Sequence, residues 1–189
     1  MLGPSSWLYQ AALKWPQKEA IFDEEVSLSF ETLYQDAIRL AKWLNSEGEA
    51  SQRVVIALPF SVTSTIFYFG IMFAGMVAVP VDPMLSEDQL GRMMTEIEPF
   101  WVVASPESKG SWDQTRLLSI NSYQDLHKKI LCREWPYDLP TLDDDPLRLL
   151  NIVYTSGTTG RHKGVMLNGT NLEAVIRGIL KALPIDEES

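Results

Sequence analysis

The sequence predicts an α/β fold: a layered domain in which helices flank a mainly parallel sheet. Three observations carry this. Short apolar runs at 54–58, 77–81 and 101–104, and a further one from Leu149 to Val153, have the length and β-branched content of buried strands. Segments of helical periodicity separate the first three runs, and strands alternating with helices imply parallel βαβ units with right-handed crossovers. Finally, 189 residues with 46% hydrophobic and 22% charged content suit one globular domain. A chain of that size buries about two-thirds of its unfolded surface.

The elements follow in order. Ser29 is placed to cap a helix whose Leu33, Ala37, Leu40, Ala41 and Leu44 share one face, ending by Gly48. A strand at 54–58 follows, then a buried helix over 63–74, a cap at Gly75 and a strand at 77–81. Ser86 and Gln89 form a capping-box pattern. Leu90, Met93, Met94 and Ile97 continue it as an apolar stripe that Pro99 stops. The two methionines at helical spacing read as core packing. Beyond the strand at 101–104 the pattern is less regular, with a strand at 117–120 and a helix at 123–131. Residues 135–145 form a proline- and aspartate-rich connector. Thr170 and Glu173 suggest a second capping box, opening a helix to about Leu183.

Charge and cysteine content exclude several functions. A net charge of -9 argues against nucleic acid or an anionic membrane as partner. The 16-residue apolar stretch at 66–81 is broken by Gly70, Gly75 and Pro80, and falls short of the roughly 20 residues a membrane helix needs. Cys132 is the single cysteine, so no disulfide framework exists and an intracellular, cytoplasmic setting is expected. No motif around Cys132 marks a nucleophile. Asp143, Asp144 and Asp145 read as a solvated acidic turn rather than a metal site, and His127 sits alone beside Lys128 and Lys129.

The densest chemical signal is Tyr154-Thr155-Ser156-Gly157-Thr158-Thr159-Gly160-Arg161-His162-Lys163-Gly164. A strand runs into a loop of glycines and hydroxyls, and the chain turns apolar again at Val165, Met166 and Leu167. Glycines permit positive φ angles that turn successive N–H groups toward one point, which suits a polyanion. Hydroxyls add donors and Lys163 supplies a compact charge for phosphate oxygens. The spacing is not that of a Walker loop, because Gly160 is not followed by lysine and Lys163 is followed by Gly164. An ordinary Gly/Thr-rich turn is the competing structural reading.

From Tyr154 to Val165 the segment closely resembles the phosphate-binding signature of AMP-forming adenylating enzymes, the family of acyl-CoA synthetases, nonribosomal adenylation domains and luciferases. Every position matches except His162, which stands where the family carries proline; it is either a plain substitution or, when protonated, an added donor. Leu167, Asn171 and Leu172 also match, whereas Asn168 and Gly169 replace the usual Thr-His, so no role is carried onto Gly169. The segments 15–21, 53–59 and 69–83 resemble the family's earlier elements in the right order. They look closest to fatty-acid–CoA ligases.

The resemblance implies a two-step reaction. A carboxylate attacks the α-phosphorus of ATP to give an acyl-adenylate and pyrophosphate, and a thiol then takes the acyl group. ATP, Mg²⁺ and CoA are the implied cofactors, and a carboxylic acid, by the likeness to fatty-acid–CoA ligases a fatty acid, the implied substrate. Thr155, Ser156, Thr158 and Thr159 would donate to the β- and γ-phosphates, and Gly157 and Gly160 would let the backbone close in. Lys163 would pair with phosphate as the catalytic cation or anchor the loop. No metal ligand is assigned. By this resemblance residues 1–189 correspond to the N-terminal part of the large AMP-binding domain. They divide into a βαβ-rich portion (1–134), a connector (135–150) and the loop strands with their helix (151–183). The family's adenine pocket, Tyr-Gly-x-Thr-Glu element, ribose-binding aspartate and C-terminal lid lysine have no counterpart here, so the chain alone is expected to be inactive. A non-catalytic remnant or interaction module, and a fragment of an amino-acid adenylation domain, are the alternatives.

Overall fold

In the computed structural model, residues 4–108, 110, 112–137, 145–156 and 162–183 are described. Helix α1 (Pro4–Lys14) precedes a hairpin of β1 (Glu19–Phe22) and β2 (Ser27–Ser29). Then come α2 (Phe30–Glu47), β3 (Arg53–Ala57), α3 (Val62–Phe73), β4 (Val77–Pro80), α4 (Glu87–Ile97) and β5 (Trp101–Ala104). A 3₁₀ turn at Gln114–Arg116 leads to β6 (Leu117–Ser119) and α5 (Tyr123–Leu126), which continues as a π turn over His127–Leu131. Finally β7 (Leu149–Ser156), β8 (His162–Asn168) and α6 (Gly169–Ala182) complete the described chain.

The main sheet has the order β6-β5-β3-β4-β7-β8. All its pairs are parallel except β7 with β8, which form an antiparallel hairpin. The α/β prediction therefore holds, with one antiparallel edge. Because strand side chains alternate, each strand feeds two cores. Val54 and Ile56 of β3 join Ala78 and Val103 in the larger core, under α2 and α3. Val55 and Ala57 join Val77, Val79, Val102 and Ala104 in the second core, under α4.

The caps explain the helix starts. Ser29 Oγ accepts from Thr32 N–H at 3.2 Å, as expected for α2. Ser61 and Ser64 cap α3 reciprocally, and Asp23 reaches over from the β1–β2 turn to accept from Val62 N–H at 2.8 Å. Burial raises the Asp23 carboxyl, but the N–H groups of Val62, Glu25 and Val26 outweigh it and hold the group below the usual range. Gly75 lies at φ 76° just after α3, a left-handed position that glycine takes without a Cβ clash.

One expectation is corrected and another refined, and two elements were not anticipated. Helix α6 is capped by Asn168 and Asn171, not by Thr170 and Glu173. Asn168 ends β8 and already carries the extended backbone that a cap needs, while Thr170 lies inside the first turn and donates to Pro146 O. The segment 123–131 is one α turn followed by a π turn. The helix at Pro4–Lys14 and the β1–β2 hairpin carry too short or too weak a periodicity to announce themselves.

Candidate phosphate-binding site

Two strands bring three of the candidate residues, Thr155, Ser156 and Lys163, together. β7 and β8 pair in register from Asn151↔Leu167 through Thr155↔Lys163 to Ser156↔His162. Directly opposed residues on an antiparallel pair point to the same face. Asn151, Val153, Thr155, Val165 and Lys163 therefore share one face, and Ile152, Tyr154, Gly164 and His162 share the other. Asn151 Nδ2 donates to Tyr68 Oη of α3 at 2.8 Å, which identifies the first face as the α3 side. Ile152 and Tyr154 pack on the second core, which identifies the other as the α4 side.

Thr155 and Lys163 thus stand side by side on the α3 face, both exposed, at the carboxyl end of β7. Among the described residues no ion pair or hydrogen bond joins the Lys163 ammonium, and the residue is exposed. Ser156 holds its place in the backbone ladder opposite His162. Gly157, Thr158, Thr159, Gly160 and Arg161 lie outside the described residues, as do Asp143 and Asp144. Asp145 is described: its Oδ1 accepts from Leu147 N–H in a turn. His127 and Cys132 are exposed, and the thiol donates to Lys128 O.

The other wall of the hairpin explains its glycine. A Cβ built on Gly164 would lie 3.1 Å from Ile152 Cγ2 and 3.3 Å from Tyr154 Cζ, so the Tyr154 ring lies across this position. Burial pushes the Tyr154 phenol up, with Glu96 adding to the shift, and the ring stays neutral as a packing element. Sequence reasoning missed Gln89 here: its Nε2 lies 3.2 Å from His162 Nε2. Only its capping-box spacing to Ser86 marks it in the sequence.

The surroundings differ in polarity. Ligands of open α/β sheets bind at the carboxyl ends of strands where the strand order reverses. Between β3 and β5 that crevice holds about 380 Å³, but Asp23, Glu24 and Glu25 line it, a poor setting for phosphate. A second crevice of about 380 Å³ at the ends of β3 and β4 is apolar, walled by Leu58, Phe60, Tyr68, Pro80 and Val81. Tyr68 links it to Asn151 of the loop strand, on the same face as Thr155 and Lys163. Among the described residues no three His, Cys, Asp or Glu side chains converge as a metal site would require. No helix among them is long and apolar enough to cross a membrane.

The family model for AMP-binding enzymes matches residues 8–187. The chain belongs to the AMP-binding enzyme family. Among AMP-binding relatives, the nonribosomal peptide synthetase ungA of Aspergillus violaceofuscus (strain CBS 115571) is 32% identical over 185 residues, spanning 95% of this chain and 2% of that protein. The long-chain-fatty-acid–CoA ligase of Bacillus subtilis (strain 168) is 26% identical over 206 residues, spanning 89% of this chain and 37% of the ligase. The fatty acid AMP ligase from Legionella pneumophila superposes with a TM-score of 0.81 at 21% identity, over 99% of this chain and 34% of that one. That likeness shows the fold. The chain thus spans well under half the length of each of these AMP-binding proteins.

Proposed function

We propose that this chain supplies the pyrophosphate-gripping part of an ATP-dependent, adenylate-forming ligase. The observation that carries the reading is the Thr155–Lys163 pair: a hydroxyl and an ammonium directly opposed on adjacent strands, at the two ends of the sequence Gly157, Thr158, Thr159 and Gly160. In this reading the loop holds the β- and γ-phosphates of ATP while a carboxylate attacks the α-phosphorus. The P–O bond to pyrophosphate breaks as the new acyl–O–P bond forms. The leaving group departs with negative charge, and fixed N–H, hydroxyl and ammonium donors stabilise that charge as it develops. Mg²⁺ would share the charge. Among the described residues no three His, Cys, Asp or Glu side chains converge to hold it.

The finer reading is an acid–thiol ligase that passes a fatty acyl group to CoA in the cytoplasm. The apolar crevice beside Tyr68 supports an apolar acid, offering a wall for its hydrocarbon body on the side of the sheet where Tyr68 meets Asn151 of β7. A second reading, activation of an amino acid, is favoured by the 32% identity to a peptide synthetase.

Exchange of labelled pyrophosphate into ATP tests the division of labour. The 189-residue chain is expected to bind pyrophosphate saturably and to give no carboxylate-dependent exchange. Exchange by this chain alone would show that it is catalytically complete. Failure to bind pyrophosphate at millimolar concentration would remove the loop's assigned role.

A further inference from the structure

Gln89 occupies the third position of α4, where it closes the capping box with Ser86. Its Oε1 accepts from Ser86 N–H at 3.1 Å and from the Ser86 hydroxyl at 2.8 Å, while the Gln89 backbone N–H donates to Ser86 Oγ at 3.3 Å. A backbone N–H can only donate, so the oxygen of the Gln89 amide is the atom facing Ser86. The nitrogen is then the atom 3.2 Å from His162 Nε2, and an amide nitrogen donates without accepting. In this arrangement His162 Nε2 is the acceptor, which corresponds to the tautomer with hydrogen on Nδ1.

This single amide joins two structures that are 73 residues apart in sequence. On one side lies the start of α4, held to the second core by Leu90, Met93 and Ile97. On the other lies the first residue of β8, immediately before Lys163. Where the family signature carries proline, whose ring stiffens the backbone by itself, this chain has a side chain that stiffens it through a neighbour. We infer that Gln89 is a positioning residue: by donating to His162 Nε2 it fixes where β8 leaves the loop, and so where Lys163 presents its ammonium. This role rests on the phosphate reading of the loop, while the bond itself does not.

Two measurements separate these levels. Long-range ¹H–¹⁵N correlation spectra of the imidazole rings read the tautomer directly, with His127 as internal reference and His162→Leu as assignment control. His162 is expected as the Nδ1–H form with an unprotonated Nε2. A resonance set showing hydrogen on Nε2 would overturn the tether.

Calorimetric titration with inorganic pyrophosphate then reads the positioning. His162→Leu, which leaves the α4 cap intact, and Gln89→Leu are each expected to weaken binding roughly two- to tenfold, the effect of losing one neutral hydrogen bond. His162→Gln, which keeps an acceptor at similar reach, should restore most of it. Ser86→Ala, which weakens the cap alone, should lower the melting temperature with a smaller effect on binding. Equal affinity for wild type, His162→Leu and Gln89→Leu would overturn the positioning role. No binding by the wild type would remove the phosphate reading and the positioning role together, and the tautomer would then stand as a property of the fold only.

Discussion

Tyr123 Oη donates to Asp36 Oδ2 across 2.9 Å, tying α5 to the face of α2 that is buried in the larger core. Arg39 Nη1 donates to the other oxygen at 3.1 Å. Asp36 is 1% exposed, so both carboxylate oxygens need partners in a place where an unpaired charge is costly. Tyr123→Phe removes one partner and leaves its oxygen buried. The expected loss at neutral pH is about 1.5–3 kcal/mol, the usual worth of a bond to a charged group. Urea denaturation checks it; a difference below about 0.5 kcal/mol would mean that water replaces the phenol.

The same pair fixes a pH dependence. Burial first, and the Asp36 charge next, push the Tyr123 phenol up to about 12 from an ordinary 10.0. A group raised on folding stabilises fully below its unfolded value, and that stability disappears as pH rises through the folded one. The stability difference between wild type and Tyr123→Phe should therefore hold steady from neutral pH to 10 and shrink between 10 and about 12. A difference that persists above that window would contradict the pairing.

Asp36 itself shows the opposite side of this linkage. Burial raises its carboxyl above the ordinary 3.8, even though the Tyr123 and Arg39 bonds pull the other way. Relative to the unfolded chain the native state holds the proton more tightly, so ionisation at neutral pH carries a cost that acidification relieves. Relative to Asp36→Asn, the wild type should gain stability as pH falls from 7 toward 3.8. A loss over that interval would mean that the ion pair with Arg39 outweighs burial.

Helices α2 and α3 meet closely at Gly70. A Cβ built there lies 2.7, 2.9 and 3.0 Å from Leu40 Cδ2, Cγ and Cβ. Gly70→Ala gains helix propensity of about 1 kcal/mol but overpacks a core position, so a net loss of about 1–2 kcal/mol is expected. Leu40→Ala alone should cost about 2–5 kcal/mol. The double variant should be less destabilised than the sum, since the second change opens the space the first requires. Additive costs would show that the helices part without contact at this point.

Much of this architecture can be read from local pattern. The stripe Leu33, Ala37, Leu40, Ala41 and Leu44 is buried as its period demands, and Ser29, Ser86 and Gly75 cap or terminate helices as their chemistry suggests. Sheet order is not local: nothing in the short run at Leu149–Ser156 says that it pairs with β4 rather than extending beyond β6. The α6 cap was misplaced because Thr170–Glu173 and Asn168–Asn171 both offer capping spacings, and only the end of β8 selects the second.

The candidate site is a string of residue types in the sequence, because glycines, hydroxyls and a lysine suggest their chemistry without knowledge of distant contacts. Which face of the sheet Thr155 and Lys163 occupy required the register. The part played by Gln89 required the fold itself, since its partner His162 is remote in sequence.

The most direct test of the phosphate-gripping role is the affinity of the chain for pyrophosphate with and without the Lys163 ammonium. Removing one charge-assisted contact of about 1.5–3 kcal/mol should weaken binding of Lys163→Ala roughly ten- to hundredfold, while its melting temperature stays that of the wild type. Equal affinities for the two proteins would show that this cation does not engage phosphate.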